Sequence, residues 1–185
     1  VETWGYAYVT LNSIQDYDVN CFSWAYVIAE QNNTVIEVTP TVTTRFGRPA
    51  NVPYTVTLNR GEIYQFMAGP EAGGTKPELS GTKIRSIDNG TGNCHPIAVF
   101  AGSSRTRNPS ACGFGGGDND NQQCFPYQAW GKRYLTAPTS NSGTASTPMV
   151  NIYKIAVKDP TTIVSKNGVQ FPLGSSSRTC SMYTI

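Results

Sequence analysis

The chain has one histidine, His95, so a Ser-His-Asp or Cys-His nucleophilic mechanism would have to run through it. A base also needs a positioned nucleophile and an orienting group. His95 stands beside Pro96 at the entrance to an apolar run and reads as a strand-end histidine on the surface. Five cysteines (Cys21, Cys94, Cys112, Cys124, Cys180) lack C-x-x-C spacing, and with one histidine to assist them a zinc site is not expected. Oxidised pairs in a secreted protein are the preferred reading, with buried reduced thiols as the alternative. The odd count leaves at least one thiol free or paired outside the chain. Cys112 lies in a glycine-rich loop with little apolar content to order it, and it is expected to pair locally, with Cys94 or with Cys124.

Asp118-Asn119-Asp120-Asn121 resembles the start of a calcium loop, but Gln123 and Ala129 stand where the loop needs glycine and a bidentate glutamate. A solvated turn is expected there, with Asp118 and Asp120 as the candidate calcium ligands. Gly113 to Gly117 lacks the strand-to-helix context and the Lys-Ser/Thr of a phosphate cradle. No cofactor is expected. Trp24 and Tyr26, with Tyr6 and Tyr8, have the chemistry to stack on sugar rings, although alternating aromatics in a strand usually divide between core and surface. Asn32-Asn33-Thr34 and Asn89-Gly90-Thr91 match the N-glycan acceptor pattern at Asn32 and Asn89, both in predicted turns.

These residues must be positioned by strands. Tyr54 to Leu58 and Glu62 to Met67 alternate in polarity around the turn Asn59-Arg60-Gly61, which predicts a hairpin. Leu79 to Ser86 is a sparser strand. After the turn formers Asp88 to Asn93, the continuous apolar run of Pro96 to Ser103 suits a strand covered on both faces. Upstream, Trp4 to Leu11 and Phe22 to Ala29 are aromatic strands. The second of these is predicted to form a hairpin with Thr34 to Thr39 across Glu30-Gln31-Asn32-Asn33. Thr41 to Thr44 is a further short strand. Ala68 to Pro77 and Arg105 to Asp120 read as loops. No window carries capped helical periodicity, so the fold is expected to be an all-β antiparallel β-sandwich of repeated strand units, with a propeller-like or other closed arrangement as the alternative.

At 185 residues the chain is long enough for a sizeable core. Charged residues make up 14% of it, against roughly 25% on average, as in many extracellular β proteins. The formal charge of +2 comes with no run of like charge, which excludes the basic stripe of a nucleic-acid binder. No apolar run approaches the roughly 20 residues of a membrane helix, and Val1-Glu2-Thr3-Trp4 does not read as a signal peptide. Both ends fall within strand-like patterns, as expected of a processed product or a piece of a longer chain.

The second half echoes the first. Trp4-Gly5-x-x-Tyr8-Val9-Thr10 returns 126 positions on as Trp130-Gly131-x-x-Tyr134-Leu135-Thr136. Tyr26-Val27-Ile28-Ala29 with Asn33-Thr34-Val35-Ile36 returns as Tyr153-Lys154-Ile155-Ala156 with Pro160-Thr161-Thr162-Ile163, at an offset of 127. One supersecondary unit used twice is the expected cause. Residues 1–129 would be a first β module and 130–185 a partial second copy packed continuously with it, with Thr139 to Thr147 a loop inside the second.

Five motifs in order carry a family likeness: Val56-Thr57-Leu58-Asn59-Arg60-Gly61-Glu62-x-Tyr64-Gln65; Leu79-Ser80-Gly81-Thr82-x-Ile84-x-Ser86; Pro96-Ile97-Ala98-Val99-Phe100-Ala101-Gly102; Gln122-Gln123; and Trp130-Gly131-Lys132. With Val27-Ile28-Ala29 and Asn33-Thr34-Val35, most of residues 20–165 resembles the N-terminal domain family of the IgG Fc-binding protein, in the form found in large surface proteins of gliding Bacteroidetes-type bacteria. Asp118 keeps that family's acidic residue before the Trp, while Asp120-Asn121 replaces its apolar pair and Glu78 its Asp. The resemblance implies a non-enzymatic extracellular or cell-surface module and supplies no catalytic motif. The Fc binding in the family's name is not carried over. The expected role is adhesion or assembly of a surface structure, with a protein or glycan surface, or copies of the chain itself, as partner. The alternative is a filament subunit completed by a neighbour's strand. Neither nucleic acid nor membrane insertion is expected.

Overall fold

Burial with a period of two decides the architecture. In β2 (Ser23–Ala29), Ser23, Ala25, Val27 and Ala29 are buried while Trp24, Tyr26 and Ile28 are half-buried; in β3 (Thr34–Thr39), Thr34, Ile36 and Val38 are buried. Each strand therefore owns one core-facing side. The computed structural model describes residues 4–13, 20–70, 77–106, 117–135, 153–159, 161–171 and 183–184. Cys112, Cys180, most of the glycine-rich loop and the loop from Thr139 to Thr147 lie outside them.

Two four-stranded antiparallel sheets form the first unit. One runs in the order β1 (Ala7–Val9), β6 (Lys83–Ile87), β3, β4 (Tyr54–Leu58). The other runs β5 (Ile63–Met67), β2, β7 (Ile97–Thr106), β8 (Asp118–Gln123). Tyr8, Val27, Ile36, Val38, Phe66, Leu79, Ile84, Ile97 and Val99 make one buried cluster from strands of both sheets. This is the expected antiparallel sandwich, and neither sheet closes into a barrel. As its continuous apolar run suggested, β7 is buried on both faces over most of its length.

The two predicted hairpins do not form. β2 pairs with β5 and β7 rather than with β3, and β4 pairs with β3 rather than with β5. The turn residues are where they were expected, but each turn carries the chain from one sheet to the other. Hairpin and corner use the same turn formers; here the neighbouring corner supplies the hydrogen bonds that select the corner. Between β2 and β3, Asn33 takes a positive φ of 55°. Between β4 and β5, Gly61 does so at 78°, and the Asn59 N–H donates to Glu62 Oε2 at 2.7 Å. Arg60 N donates to Asn32 Oδ1 at 3.0 Å and Gly61 N to the Ala29 carbonyl at 2.9 Å, joining these two corners. A third corner, between β6 and β7, adds Asn89 Nδ2 to the Asn33 carbonyl at 3.3 Å and Glu30 N to the Pro96 carbonyl at 3.3 Å. The first corner is thus bonded on both flanks.

At the opposite end of the strands the fixed point is Asn12, 1% exposed. Its Nδ2 donates to the carbonyls of Trp24 at 2.9 Å and Gly102 at 2.7 Å, and its backbone N–H donates to Ser80 Oγ at 2.9 Å. The side-chain amide therefore bridges β2 and β7, while the backbone N–H reaches the segment leading into β6.

Other expectations change locally. Of Trp4 to Leu11, Ala7–Val9 is strand, and of Thr41 to Thr44, Thr44 alone makes a bridge, to Ala68. Asp118-Asn119-Asp120-Asn121 is strand instead of turn, and the loop expected from Arg105 to Asp120 gives its ends to β7 and β8. Pairing with β7 overrides poor β propensity there: Asp120 Oδ1 accepts the Ser103 N–H, and its other oxygen the Ser13 hydroxyl, beside an irregularity between Ser103 and Thr106.

A second unit comprises residues 108–115 and 131–185. It contains the hairpin of β10 (Val164–Lys166) and β11 (Val169–Phe171), turned by Asn167 and Gly168 at positive φ of 52° and 81°. It also contains a parallel pairing of β9 (Lys154–Ile155) with β12 (Tyr183–Thr184).

Asn12→Ala removes two bonds to buried carbonyls and is expected to lower stability by about 1–3 kcal/mol in urea unfolding. Unchanged stability would show that Asn12 clasps nothing.

Candidate functional site

The side of β2 that turns away from the core carries Trp24, Tyr26 and Ile28. Cross-strand registry sets Trp24 opposite Met67 and Gly102, Tyr26 opposite Gln65 and Phe100, and Ile28 opposite Ile63 and Ala98. The rings of Trp24 and Tyr26 stack at 5.6 Å and 14°, and those of Tyr26 and Phe100 at 4.8 Å and 10°. Gly102 is what lets the indole settle, because a Cβ there would collide with the Trp24 ring and the Asp120 carbonyl. Beneath, the Asn12 amide holds the backbone carbonyls of both Trp24 and Gly102. Beside the ladder, Trp24, Tyr26, Ile28, Ile63 and Gln65 line a shallow groove of about 310 Å³.

The two outer faces of the sandwich differ in charge. On the β2 side, the registered positions on β5, β2, β7 and the end of β8 (Asn121, Gln123) bear rings, aliphatics and amides, with no charged side chain among them. The corresponding positions of the other sheet bear the charged Lys83, Arg85 and Glu37, the hydroxyl-bearing Thr39, Thr55 and Thr57, and the apolar Ala7, Val9, Val35 and Ile87. There Arg85 Nε meets Glu37 Oε1 at 2.8 Å, and that carboxylate holds the guanidinium pKa above its ordinary value. A face carrying an exposed ion pair and threonines suits water; an aromatic face, at whose end the Arg45 guanidinium stacks on Phe22 at 4.4 Å, suits a partner.

Of the residues singled out in the sequence, Trp24 and Tyr26 fall together in this ladder. Tyr26 has a ring on each of two sides, so its faces are engaged with protein and the groove alongside is what a partner would meet. Phe100, Gly102 and Asn12 complete the site and were not singled out. The glycine that ends the apolar run Phe100-Ala101-Gly102 is the signal that could have drawn notice to Gly102, although its place in the site comes from registry. Tyr6 is exposed, whereas Tyr8 is fully buried. Asn32 and Asn89 both lie at the corners: Asn32 is exposed, and Asn89 Oδ1 accepts from Thr91 N at 3.0 Å. Asp118 is exposed and accepts from Asn119 N at 2.8 Å, while the Asp120 carboxylate is engaged by Ser13 and Ser103. Among the described residues no group of three or more His, Cys, Asp or Glu side chains could hold a metal ion. The His95 Nδ1 lies 3.4 Å from the Thr34 hydroxyl, and its backbone N–H donates to Ser86 Oγ at 3.1 Å.

Cys21, Cys94 and Cys124 are free thiols in the structure, so Cys94 and Cys124 are not paired with each other; Cys112, expected to pair with one of them, lies outside the described residues. Cys94 is exposed at the third corner. Cys124 follows β8 and packs against the core, where burial pushes its thiol from the ordinary 9.0 to about 12, against a smaller opposite effect from the Leu11 backbone. Burial likewise pushes Tyr8 from 10.0 to about 12, while its hydroxyl donates to the Ile97 carbonyl at 2.6 Å.

Three outcomes follow. Both raised groups are protonated in the folded and the unfolded chain below the ordinary thiol pKa of 9.0, so their contribution to stability is fully present there. Above it the unfolded chain releases protons that the folded chain keeps, and urea unfolding should show stability falling as pH rises towards 12. A flat profile across that range, or the same slope in Cys124→Ala and Tyr8→Phe, would contradict this. Under native conditions iodoacetamide should modify Cys94 well before Cys124, as peptide mass mapping would show; equal rates would place Cys124 outside the core. Gly102→Ala should displace the indole and change tryptophan fluorescence and near-ultraviolet dichroism, at a cost of about 1–3 kcal/mol. Spectra identical to those of the parent would remove Trp24 from the position described.

Among the described residues no helix is long and apolar enough to cross a membrane. Comparison with curated proteins and with solved structures returns no match. A family model described as IgGFc binding protein, a binding-type domain, matches residues 1–181. With nearly the whole chain matched, the chain belongs to the IgGFc binding protein family.

Proposed function

We propose that this chain is a non-enzymatic extracellular adhesion or surface-structure module that touches its partner through the outer face of β5, β2, β7 and β8. The observation that carries the proposal is the charge contrast: the Trp24–Tyr26–Phe100 ladder and its groove lie among registered strand positions without charged side chains, with the Arg45 guanidinium stacked on Phe22 at one end, while the opposite face carries the Glu37–Arg85 pair. Family membership and the low charge content support the binding role and the extracellular setting. The partner is a protein or glycan surface. The proposed setting is a long surface adhesin, in which residues 130–185 would open a second module of the kind formed by residues 1–129.

Self-association is the second reading, favoured by the β4 and β5 edges. Both lie on the same side of the sandwich, and neither Tyr54–Leu58 nor Ile63–Met67 contains a charged residue or a proline.

Binding of the purified chain to a glycan array, to mucus-coated surfaces and to whole cells tests the adhesive reading. Saturable binding is expected, weakened roughly thirtyfold or more in Gln65→Lys, as for a central interface residue, and unchanged in Lys83→Glu. Absence of binding to every surface, or equal loss in both variants, would overturn it.

A further inference from the structure

We propose that the open edge of β5 is a pairing site for the β5 strand of a second copy of this chain, joining two sandwiches into one continuous sheet. The proposal rests on the self-association reading and goes beyond it by naming the strand and the register. The hydrogen bonds around β5 show which backbone groups point outward. The Glu62 carbonyl accepts from Ala29 N at 3.3 Å and Ala68 N donates to the Ser23 carbonyl at 2.9 Å, so even-numbered residues face β2. The Met67 carbonyl accepts from Arg45 N at 2.9 Å, and Gly69 N donates to the Thr43 carbonyl at 2.9 Å, so odd-numbered residues face the edge and residues 43–45 cover its far end. Alternation then places the N–H and C=O of Ile63 and Gln65 at the part of the edge that no described residue covers.

The other edge of the same sheet is guarded. β8 carries Asp118 and Asp120 and an irregularity in its pairing with β7, devices that keep a strand from recruiting another. β5 has none of these: Ile63-Tyr64-Gln65-Phe66-Met67 is uncharged and evenly paired, and Ile63 is 60% exposed. Edge groups of this kind are satisfied by an extended strand, and β5 is its own complement. With two copies antiparallel about Tyr64, Ile63 of each stands opposite Gln65 of the other. Those two hydrogen-bonded pairs use all four outward groups of each copy. The same register brings the two Ile63 side chains and the two adjoining grooves onto one shared face, covering apolar surface that the single sandwich leaves in water.

Light scattering and sedimentation across a concentration series, with Ile63→Lys and Lys83→Glu beside the parent chain, test this. The parent should form a reversible dimer, Ile63→Lys should weaken it by about tenfold or more, and Lys83→Glu should leave it unchanged. In the parent, exchange of the Ile63 and Gln65 amides should slow as concentration rises. A parent that stays monomeric throughout would overturn the proposal together with the self-association reading. A dimer equally strong in Ile63→Lys, or one whose Ile63 and Gln65 amides exchange at a concentration-independent rate, would overturn the β5 site while leaving self-association standing. Because Ile63 is exposed, its replacement should spare the fold, which far-ultraviolet dichroism checks.

Discussion

Three corners, each carrying the chain across from one sheet to the other, hold the rest of this sandwich in place. The corner between β2 and β3, Ala29 to Asn33, accepts from Arg60 and Gly61 on one flank and is bonded to Asn89 and Pro96 on the other. Because β2 and β3 meet at that corner, β2 is free to take β5 and β7 as its two neighbours while β3 takes β4 and β6. Short backbone-to-side-chain bonds of this kind are individually worth about 1 kcal/mol net. Their weight comes from position: they select which strands become neighbours, and the buried cluster of Tyr8, Val27, Ile36 and Ile97 then supplies the larger apolar term.

The aromatic face is a consequence of that neighbourhood. A hairpin of β2 with β3 would have set Trp24 and Tyr26 among threonines and Glu37. Crossing to the other sheet sets them against β7, where Phe100 completes the ring stack and Gly102 leaves room for the indole. Asn12 then fixes the β2 and β7 backbones at that same point. The family is a binding-type domain, and the aromatic ladder and the Glu37–Arg85 pair lie on opposite outer faces of the sandwich.

Much of the fold was legible in alternation. Ser23 to Ala29, Thr34 to Thr39, Tyr54 to Leu58 and Ile63 to Met67 all read as strands, and the continuous apolar run before Ser103 read as a strand buried on both faces. Pairing was not legible, because Asn32-Asn33 and Asn59-Arg60-Gly61 are equally good formers of a hairpin turn and of a corner, and the bonds that decide between them come from residues distant in the chain. β8 was hidden for another reason: Asp118 to Asn121 have poor strand propensity and are held by β7 and by the engagement of Asp120. Half of the site was visible, in Trp24 and Tyr26. The other half was not, since Phe100 and Gly102 join it through registry, and Asn12 sits in a stretch whose composition reads as an ordinary polar loop.

The crossing of the chain between sheets is tested most directly by interstrand nuclear Overhauser contacts in the labelled protein. Contacts from Tyr26 to both Gln65 and Phe100, with Glu37 in contact with Thr55 and Arg85, are the expected result. Backbone contacts pairing β2 directly with β3, as in a hairpin, would contradict the corners and, with them, the aromatic face.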